Sequence, residues 1–240
     1  MVRQSQYGLE NHGFTKVGKV FWTCSAGTLY EEAVKRKEAV ISEHGALIAH
    51  TGVHTGRSAN DKFIVEEPST QDKIWWGKIN QPISAEKFDR LHKKICDHFA
   101  DKDVFIQDFN CGADPKTQLP VRIITEYAWH SLFARNMFIK EQNPTSHVPE
   151  FTVIDAPNLK SRPYTDGTNS ETFIVINFAK RLVLIGGTEY AGEIKKSIFS
   201  VMNYLLPQRG VLPMHCSANM AQDGNTAVFF GLSGTGQVYR

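Results

Sequence analysis

The chain has 240 residues, of which 41% are hydrophobic and 22% are charged, and its formal net charge is +2. This length and composition are typical of one large or two small globular domains and exclude a disordered chain. The small net charge and the scattered lysine and arginine residues argue against nucleic-acid binding.

Cysteine spacing and hydropathy predict the cellular compartment of the protein. The four cysteines are widely separated and form no CxxC pair, which favours reduced thiols over a disulfide framework or a structural zinc site. The first 25 residues lack the apolar core of a signal peptide, and no apolar run is long enough to cross a bilayer. We therefore expect a cytoplasmic protein that does not bind membranes.

The first third of the chain contains two predicted helices with a strand between them. Residues 28–31 have the pattern of a helix capping box, and apolar residues at helical spacing predict a helix that continues to residue 43. A glycine turn at 55–58 precedes a predicted strand at Lys62–Val65. A second, amphipathic helix is predicted over 84–99, where apolar residues recur at steps of three and four.

The rest of the chain mixes strands and helices without strict alternation, which favours a mixed α/β (α+β) fold over a doubly wound parallel sheet. Residues 143–167 are predicted to be irregular apart from an apolar run at 151–154. The predicted strands are 104–109, 171–177, 181–185, 211–216 and 226–230, and the predicted helices are 126–139 and 194–206, the latter ended by Pro207.

A glycine-rich hexapeptide follows the last predicted strand. It matches the first six positions of the phosphate-loop pattern G-x-x-x-x-G-K-[ST], in which backbone N–H groups surround phosphate oxygens. Gln237 and Val238 occupy the positions of the lysine and the hydroxyl residue. Taken alone, the hexapeptide is equally well explained as a tight turn. Its residues are Gly231, Leu232, Ser233, Gly234, Thr235 and Gly236.

Two adjacent lysines mark a second candidate site. Lys195 and Lys196 follow a glycine turn at 186–188 and Tyr190, near a predicted helix N-terminus. The helix dipole disfavours cations at this end, so the position indicates an anionic partner. A solvated basic turn is the alternative interpretation.

Arg57 and His215 are further candidates. Arg57 lies on the glycine turn among hydroxyl residues, an arrangement that suits bidentate binding of a carboxylate or phosphate; the alternative is a surface turn with an ion pair to Asp61. His215 ends a short apolar run and has no spacing signature for zinc, so a structural role is the alternative there.

Taken together and in order, these motifs resemble those of the ATP-dependent phosphoenolpyruvate carboxykinase family. They are Thr-Gly-Arg-Ser around Arg57, the Gly-Gly-Thr-x-Tyr-x-Gly-Glu-x-Lys-Lys run, Met-His-Cys-Ser-Ala-Asn around His215, and Phe-Phe-Gly-Leu-Ser-Gly-Thr-Gly. The resemblance extends from about residue 7 to residue 236 and corresponds to the N-terminal part of longer enzymes. It implies an N-terminal substrate-binding domain at 1–209 and the first strands of a P-loop nucleotide-binding domain at 210–240.

The resemblance implies an activity, which is the conversion of oxaloacetate and ATP to phosphoenolpyruvate, ADP and CO₂ in gluconeogenesis, with Mn²⁺ and Mg²⁺. It assigns catalysis to Arg57, Lys195 and Lys196, and substrate binding to Arg57, Tyr190 and Lys196. It makes Lys196 and His215 the Mn²⁺ ligands and places both at the nucleotide, together with residues 231–236. The oligomeric state stays open.

Two departures from the family pattern lead to further expectations. Ala59 replaces a proline that is common after Arg-Ser, and Gln237 and Val238 replace lysine and threonine. We expect a chain cut within the phosphate loop, inactive or nearly so, with exposed apolar strands that promote association. A non-catalytic dicarboxylate-binding module is the alternative. An unrelated P-loop NTPase is disfavoured because such proteins place the loop early in a βαβ unit.

Overall fold

A computed structural model describes residues 4–231. The α-helices in this range are α1 (Ala26–Lys35), α2 (Ala85–His98), α3 (Ala128–Met137), α4 (Pro163–Asp166) and α5 (Gly192–Gln208). The strands are β1 (Val20–Trp22), β2 (Ala39–Ile41), β3 (Leu47–Ala49), β4 (Lys62–Val65), β5 (Gln81–Ile83), β6 (Val104–Cys111), β7 (Leu119–Thr125), β8 (Ile139–Lys140), β9 (Phe151–Ala156), β10 (Phe173–Asn177), β11 (Leu182–Gly186), β12 (Ser217–Met220) and β13 (Thr226–Phe229). Short 3₁₀ helices occupy Leu9–His12 and Ala59–Asp61.

Nine of these strands form one mixed sheet. Its order is β1-β6-β7-β9-β11-β10-β4-β5, with β8 added beside β6. The β6–β7, β6–β8 and β10–β11 pairs are antiparallel, and the other neighbours are parallel. The predicted mixed α/β fold is therefore confirmed, and a doubly wound parallel sheet is not formed by residues 4–231.

Helices cover both faces of this sheet. The central strands β9, β10 and β11 are buried along their whole length, as expected of strands that are covered on both sides. Trp22 and Ile106 belong to the core cluster that contains α2, whereas Phe21 and Phe105 belong to the cluster that contains α1 and α3. Since successive side chains of a strand point to opposite faces, α2 covers one face and α1 and α3 cover the other.

The predicted helix over 28–43 is wrong beyond residue 35. Ser25 is the N-cap, and its side chain accepts a hydrogen bond from the Thr28 N–H at 3.1 Å. The chain leaves the helix through Lys37, which has a φ of 60°, and then forms the β2–β3 hairpin. The apolar residues of β2 fit strand periodicity as well as helix periodicity, so the pattern alone did not separate the two structures.

Other predicted elements match the structure more closely. The helix over 84–99 is confirmed as α2, with Ser84 as its N-cap. The strands at 104–109, 171–177 and 181–185 are confirmed as β6, β10 and β11, and the helix over 126–139 is confirmed for α3. Strand β7, which lies inside the sheet, was not predicted.

The end of the described chain differs from prediction in two places. Helix α5 begins two residues earlier than predicted and contains Pro207 in its last turn, where the proline does not end the helix. The predicted strand at 211–216 is wrong, because the strand of this region is β12 and it pairs with β13 in a separate hairpin.

The chain divides into two compact units, Met1–Ile198 and Phe199–Arg240. In the second unit, β12 and β13 are joined by a turn in which Gly224 has a φ of 87°. Leu212, Met220 and Phe230 are exposed there. The division into domains at 1–209 and 210–240 stays a prediction. None of the helices between residues 4 and 231 has the length and hydropathy needed to span a membrane.

Candidate anion-binding site

A cluster of basic side chains lies at the start of α5 in the first unit. The turn that carries Arg57 is joined to α5 by a hydrogen bond of 2.7 Å from the Ser58 N–H to Oε1 of Glu193. Arg57 interacts electrostatically with Lys62, Glu193 and Lys196. The structure therefore brings together residues that are more than 130 positions apart in the sequence.

The glycines before and at the start of α5 allow the backbone to pack closely against neighbouring residues. Gly187 has a φ of 69°, and a Cβ at this position would overlap the Glu171 carbonyl. A Cβ on Gly192 would overlap the ring of Tyr190, which lies against the first turn of the helix. The Thr188 hydroxyl accepts a hydrogen bond from the Tyr190 N–H at 3.2 Å. Thus the run fixes the backbone that presents Tyr190.

Two buried carboxylates hold the Arg57 turn in place. Glu193 is only 5% exposed and accepts the Ser58 N–H. Asp61 accepts hydrogen bonds from the hydroxyls of Ser58 and Ser170, the latter at 2.8 Å. Within the part of the chain that the structure describes, no ion pair joins Arg57 to Asp61, so the alternative interpretation of a local ion pair is wrong.

The cluster carries an excess of positive charge. Burial lowers the pKa of Lys196, and the charges of Lys195 and Arg57 lower it further. Burial and Arg57 likewise lower the pKa of Lys62, whereas burial raises the pKa of the neighbouring Glu193. Arg57, Lys62, Lys195 and Lys196 outnumber the carboxylates of Glu193 and Asp61 at this turn, and the repulsion among the basic side chains makes the site favourable for an anion.

Exposure decides which of these groups an anion reaches. Arg57 and Lys195 are exposed, and Tyr190 and Lys196 are half-buried, whereas Glu193 is buried beneath them. A ligand that enters from solvent therefore meets the basic side chains and not the carboxylate. The structure thus brings Arg57 and Lys196 together as predicted for a substrate site, and it adds Lys62 and Glu193, which the sequence analysis did not assign to it.

The remaining predicted site residues belong to the second unit or fall outside the described residues. His215 is exposed in the second unit, where its ring meets the Phe199 ring edge-on at a centroid distance of 5.8 Å. Gly231 follows β13 after one residue, Phe230, and is exposed. Residues Leu232, Ser233, Gly234, Thr235 and Gly236 lie outside the described residues, as do Gln237 and Val238. The predicted nucleotide loop and the roles of His215 stay predictions.

Between residues 4 and 231, no group of three or more His, Cys, Asp or Glu side chains is arranged to hold a metal ion. A lysine binds a metal only as the neutral amine, because the protonated form has no lone pair. The lowered pKa of Lys196 fits that requirement.

Comparisons with known proteins agree on one family. Residues 18–238 match the family model described as phosphoenolpyruvate carboxykinase. The chain is 56% identical over 232 residues to the phosphoenolpyruvate carboxykinase (ATP) of Geobacter sp. (strain M21), and 58% identical over 233 residues to that of Geotalea uraniireducens (strain Rf4). Each alignment covers 96% of this chain and 44% of the relative. The chain therefore spans less than half the length of these relatives.

Proposed function

Because this chain belongs to the ATP-dependent phosphoenolpyruvate carboxykinase family, we propose that its basic cluster is the oxaloacetate-binding part of such an enzyme. The reaction proposed for the whole enzyme converts oxaloacetate and ATP to phosphoenolpyruvate, ADP and CO₂. The observation that supports the proposal most directly is that the charges of Arg57 and Lys195 act on Lys196, while a hydrogen bond from Ser58 to Glu193 ties the Arg57 turn to the start of α5.

The chemistry of oxaloacetate matches this cluster. The substrate carries two carboxylates, and a guanidinium such as that of Arg57 binds a carboxylate through two parallel hydrogen bonds. Loss of CO₂ leaves an enolate, whose negative charge is stabilised by a fixed neighbouring cation such as Lys195. Tyr190 lies at the start of the same helix, where its hydroxyl would contact the substrate or the departing CO₂.

Metal and nucleotide complete the proposed site. Lys196 and His215 would hold Mn²⁺, and a divalent cation at this place stabilises negative charge on the enolate oxygen. The backbone N–H groups of residues 231–236, together with the Ser233 hydroxyl, would bind the phosphates of ATP with its Mg²⁺. Gln237 is neutral where the motif has a lysine, so we expect the 240-residue chain to bind dicarboxylates while consuming little ATP.

The proposed cellular role follows from the reaction. Phosphoenolpyruvate formation from oxaloacetate is a gluconeogenic step, and we propose that it takes place in the cytoplasm. The second candidate function is a non-catalytic dicarboxylate-binding module. It is favoured by the same basic cluster and by the neutral Gln237.

Calorimetric titration with oxalate, a compact dicarboxylate, tests the binding proposal. We expect the wild-type chain to bind oxalate, and Arg57→Ala to weaken that binding by about tenfold because one bidentate charged pair is lost. Lys140→Ala is the matched control, since Lys140 is an exposed cation on β8, far from β4 in the order of the sheet. Absence of oxalate binding, or equal effects of the two substitutions, would contradict the proposal.

An assay of phosphoenolpyruvate formation separates the two candidate functions. Oxalate binding without phosphoenolpyruvate formation from oxaloacetate and ATP supports the binding module for this chain. Oxaloacetate-dependent ATP consumption at the rate of a complete enzyme would contradict the expected low activity.

A further inference from the structure

His130 lies behind the basic cluster and is fully buried in the first turn of α3. Its Nε2 is 2.9 Å from the backbone carbonyl oxygen of Glu189, the residue that precedes Tyr190. Its Nδ1 is 2.9 Å from Oδ2 of Asp155, which is itself buried in β9. The imidazole therefore bridges the sheet and the segment that leads into the anion site.

The chemistry of the two partners determines the protons on this imidazole. A backbone carbonyl only accepts hydrogen bonds, so Nε2 must carry a proton. The distance of 2.9 Å between Nδ1 and Oδ2 of Asp155 is that of an ion pair when the imidazole is charged, and the imidazole can also be neutral there. Although burial opposes it, the charge of Asp155 raises the pKa of His130, in agreement with this arrangement. In either form, Nε2 donates to the Glu189 carbonyl.

The segment from Gly187 to Tyr190 depends on side-chain hydrogen bonds for its position. The Thr172 hydroxyl donates to the Gly187 carbonyl at 2.8 Å, and the Tyr190 N–H donates to Thr188 at 3.2 Å. The Glu189 carbonyl receives its hydrogen bond from His130. Of these three contacts, the one from His130 comes from a helix that packs on the sheet, and the His130 side chain is fully buried.

We propose that His130 is a positioning residue for the dicarboxylate site: its bond to the Glu189 carbonyl fixes the backbone that presents Tyr190 and begins α5. Asp155 orients the imidazole for this task. The identity of the ligand rests on the proposed function, whereas the positioning of Tyr190 does not.

Substitution of His130 alone would leave the Asp155 carboxylate buried and unpaired, so the test uses Asp155→Asn as the parent variant. In this parent, neutral His130 still donates from Nε2 to the Glu189 carbonyl. Adding His130→Gln supplies an amide N–H2 that reaches the same carbonyl, whereas adding His130→Phe supplies a ring of similar size without a donor. The two double variants thus differ in the hydrogen bond and not in buried charge.

The first measurement is oxalate affinity by calorimetry, below the melting temperature of every variant. We expect the Gln variant to stay within about threefold of its parent and the Phe variant to bind about tenfold more weakly, since one buried hydrogen bond is lost. Equal affinities of the two double variants would overturn the proposal.

Two spectroscopic measurements make the test independent of the ligand. In the unliganded wild-type chain labelled with ¹⁵N-histidine, the Nε2 of His130 must carry a proton that is protected from exchange; an unprotonated Nε2 would overturn the proposal. The Tyr190 ring resonances must shift in the Phe variant and stay near their parent positions in the Gln variant, and the reverse would also overturn it. If the wild-type chain fails to bind oxalate while these signals behave as expected, the proposed function fails and the positioning role stands.

Discussion

Glu193 gives the sharpest test of how the anion site is built, because its two roles have opposite effects on binding. Its carboxylate holds the Arg57 turn through the 2.7 Å hydrogen bond from Ser58, and its negative charge opposes an incoming anion. Glu193→Gln keeps an acceptor for the Ser58 N–H and removes the charge. Glu193→Ala removes both.

The expected magnitudes follow from these contacts. A hydrogen bond to a charged group contributes about 1.5–3 kcal/mol, so Glu193→Ala should lower the free energy of unfolding by roughly that amount. Glu193→Gln should lie within about 1 kcal/mol of the wild type, because the bond is kept in neutral form and the cost of burying a charge is removed. For oxalate, we expect Glu193→Gln to bind as tightly as the wild type or up to about fivefold more tightly, and Glu193→Ala to bind more weakly.

Tryptophan fluorescence during urea unfolding measures the free energy of unfolding, since all four tryptophans lie in the first unit. Calorimetry with oxalate measures binding. If Glu193→Gln and Glu193→Ala weaken oxalate binding equally, the hydrogen bond to Ser58 does not position Arg57 and the reasoning is refuted. Stronger oxalate binding by Glu193→Ala would likewise show that only the charge of Glu193 matters.

Three further predictions concern stability and association. Arg122 and Asp108 form a fully buried ion pair at 2.7 Å, so Arg122→Met should lower the free energy of unfolding by about 3–5 kcal/mol. Adding Asp108→Asn should restore part of it, because the amide removes the unpaired charge and still accepts the hydrogen bond from the Trp22 N–H; equal stability of the single and double variants in urea would contradict this. Although burial opposes it, the hydrogen bond and charge of His98 lower the pKa of Glu126 from 4.5 to about 2, so its stabilisation is complete above pH 4.5 and is lost as the pH falls toward 2. Glu126→Gln should reduce the change of the melting temperature with pH over this range. An unchanged pH dependence would contradict the pairing of Glu126 with His98. The exposed Leu212 and Phe230 should cause self-association, which sedimentation velocity would detect and which changing both to serine should reduce; a wild-type chain that is monomeric at high concentration would exclude it.

Local sequence patterns predicted those elements in which apolar residues recur at only one spacing, either that of a helix or that of a strand. The apolar spacing in α2 is helical throughout and Ser84 caps it, so its bounds were predicted closely. The apolar residues of β2 fit the spacing of a helix as well as that of a strand, and they form a strand because they pair with β3. Strand β7 was missed although it lies inside the sheet between β6 and β9, because Pro120 and the buried Arg122 interrupt its apolar pattern.

In the candidate site too, residues within local motifs were predicted and contacts between distant residues were not. Arg57, Tyr190, Lys195 and Lys196 were identified from their motifs and from the resemblance to a family. The contact of Glu193 with Ser58 joins residues 135 positions apart, and no local pattern reports it. An acidic residue in the first turn of α5 is ordinary for a helix N-terminus, so its second role became visible only in three dimensions.

The proposed site places a bound dicarboxylate at the start of α5. It is tested most directly by following the backbone amide signals of the ¹⁵N-labelled chain during titration with oxalate. We expect the largest shifts at Arg57, Ser58, Tyr190, Lys195 and Lys196, and we expect Arg57→Ala to reduce them strongly at an oxalate concentration near the wild-type Kd. Shifts centred on another part of the chain, or none at saturating oxalate, would contradict it.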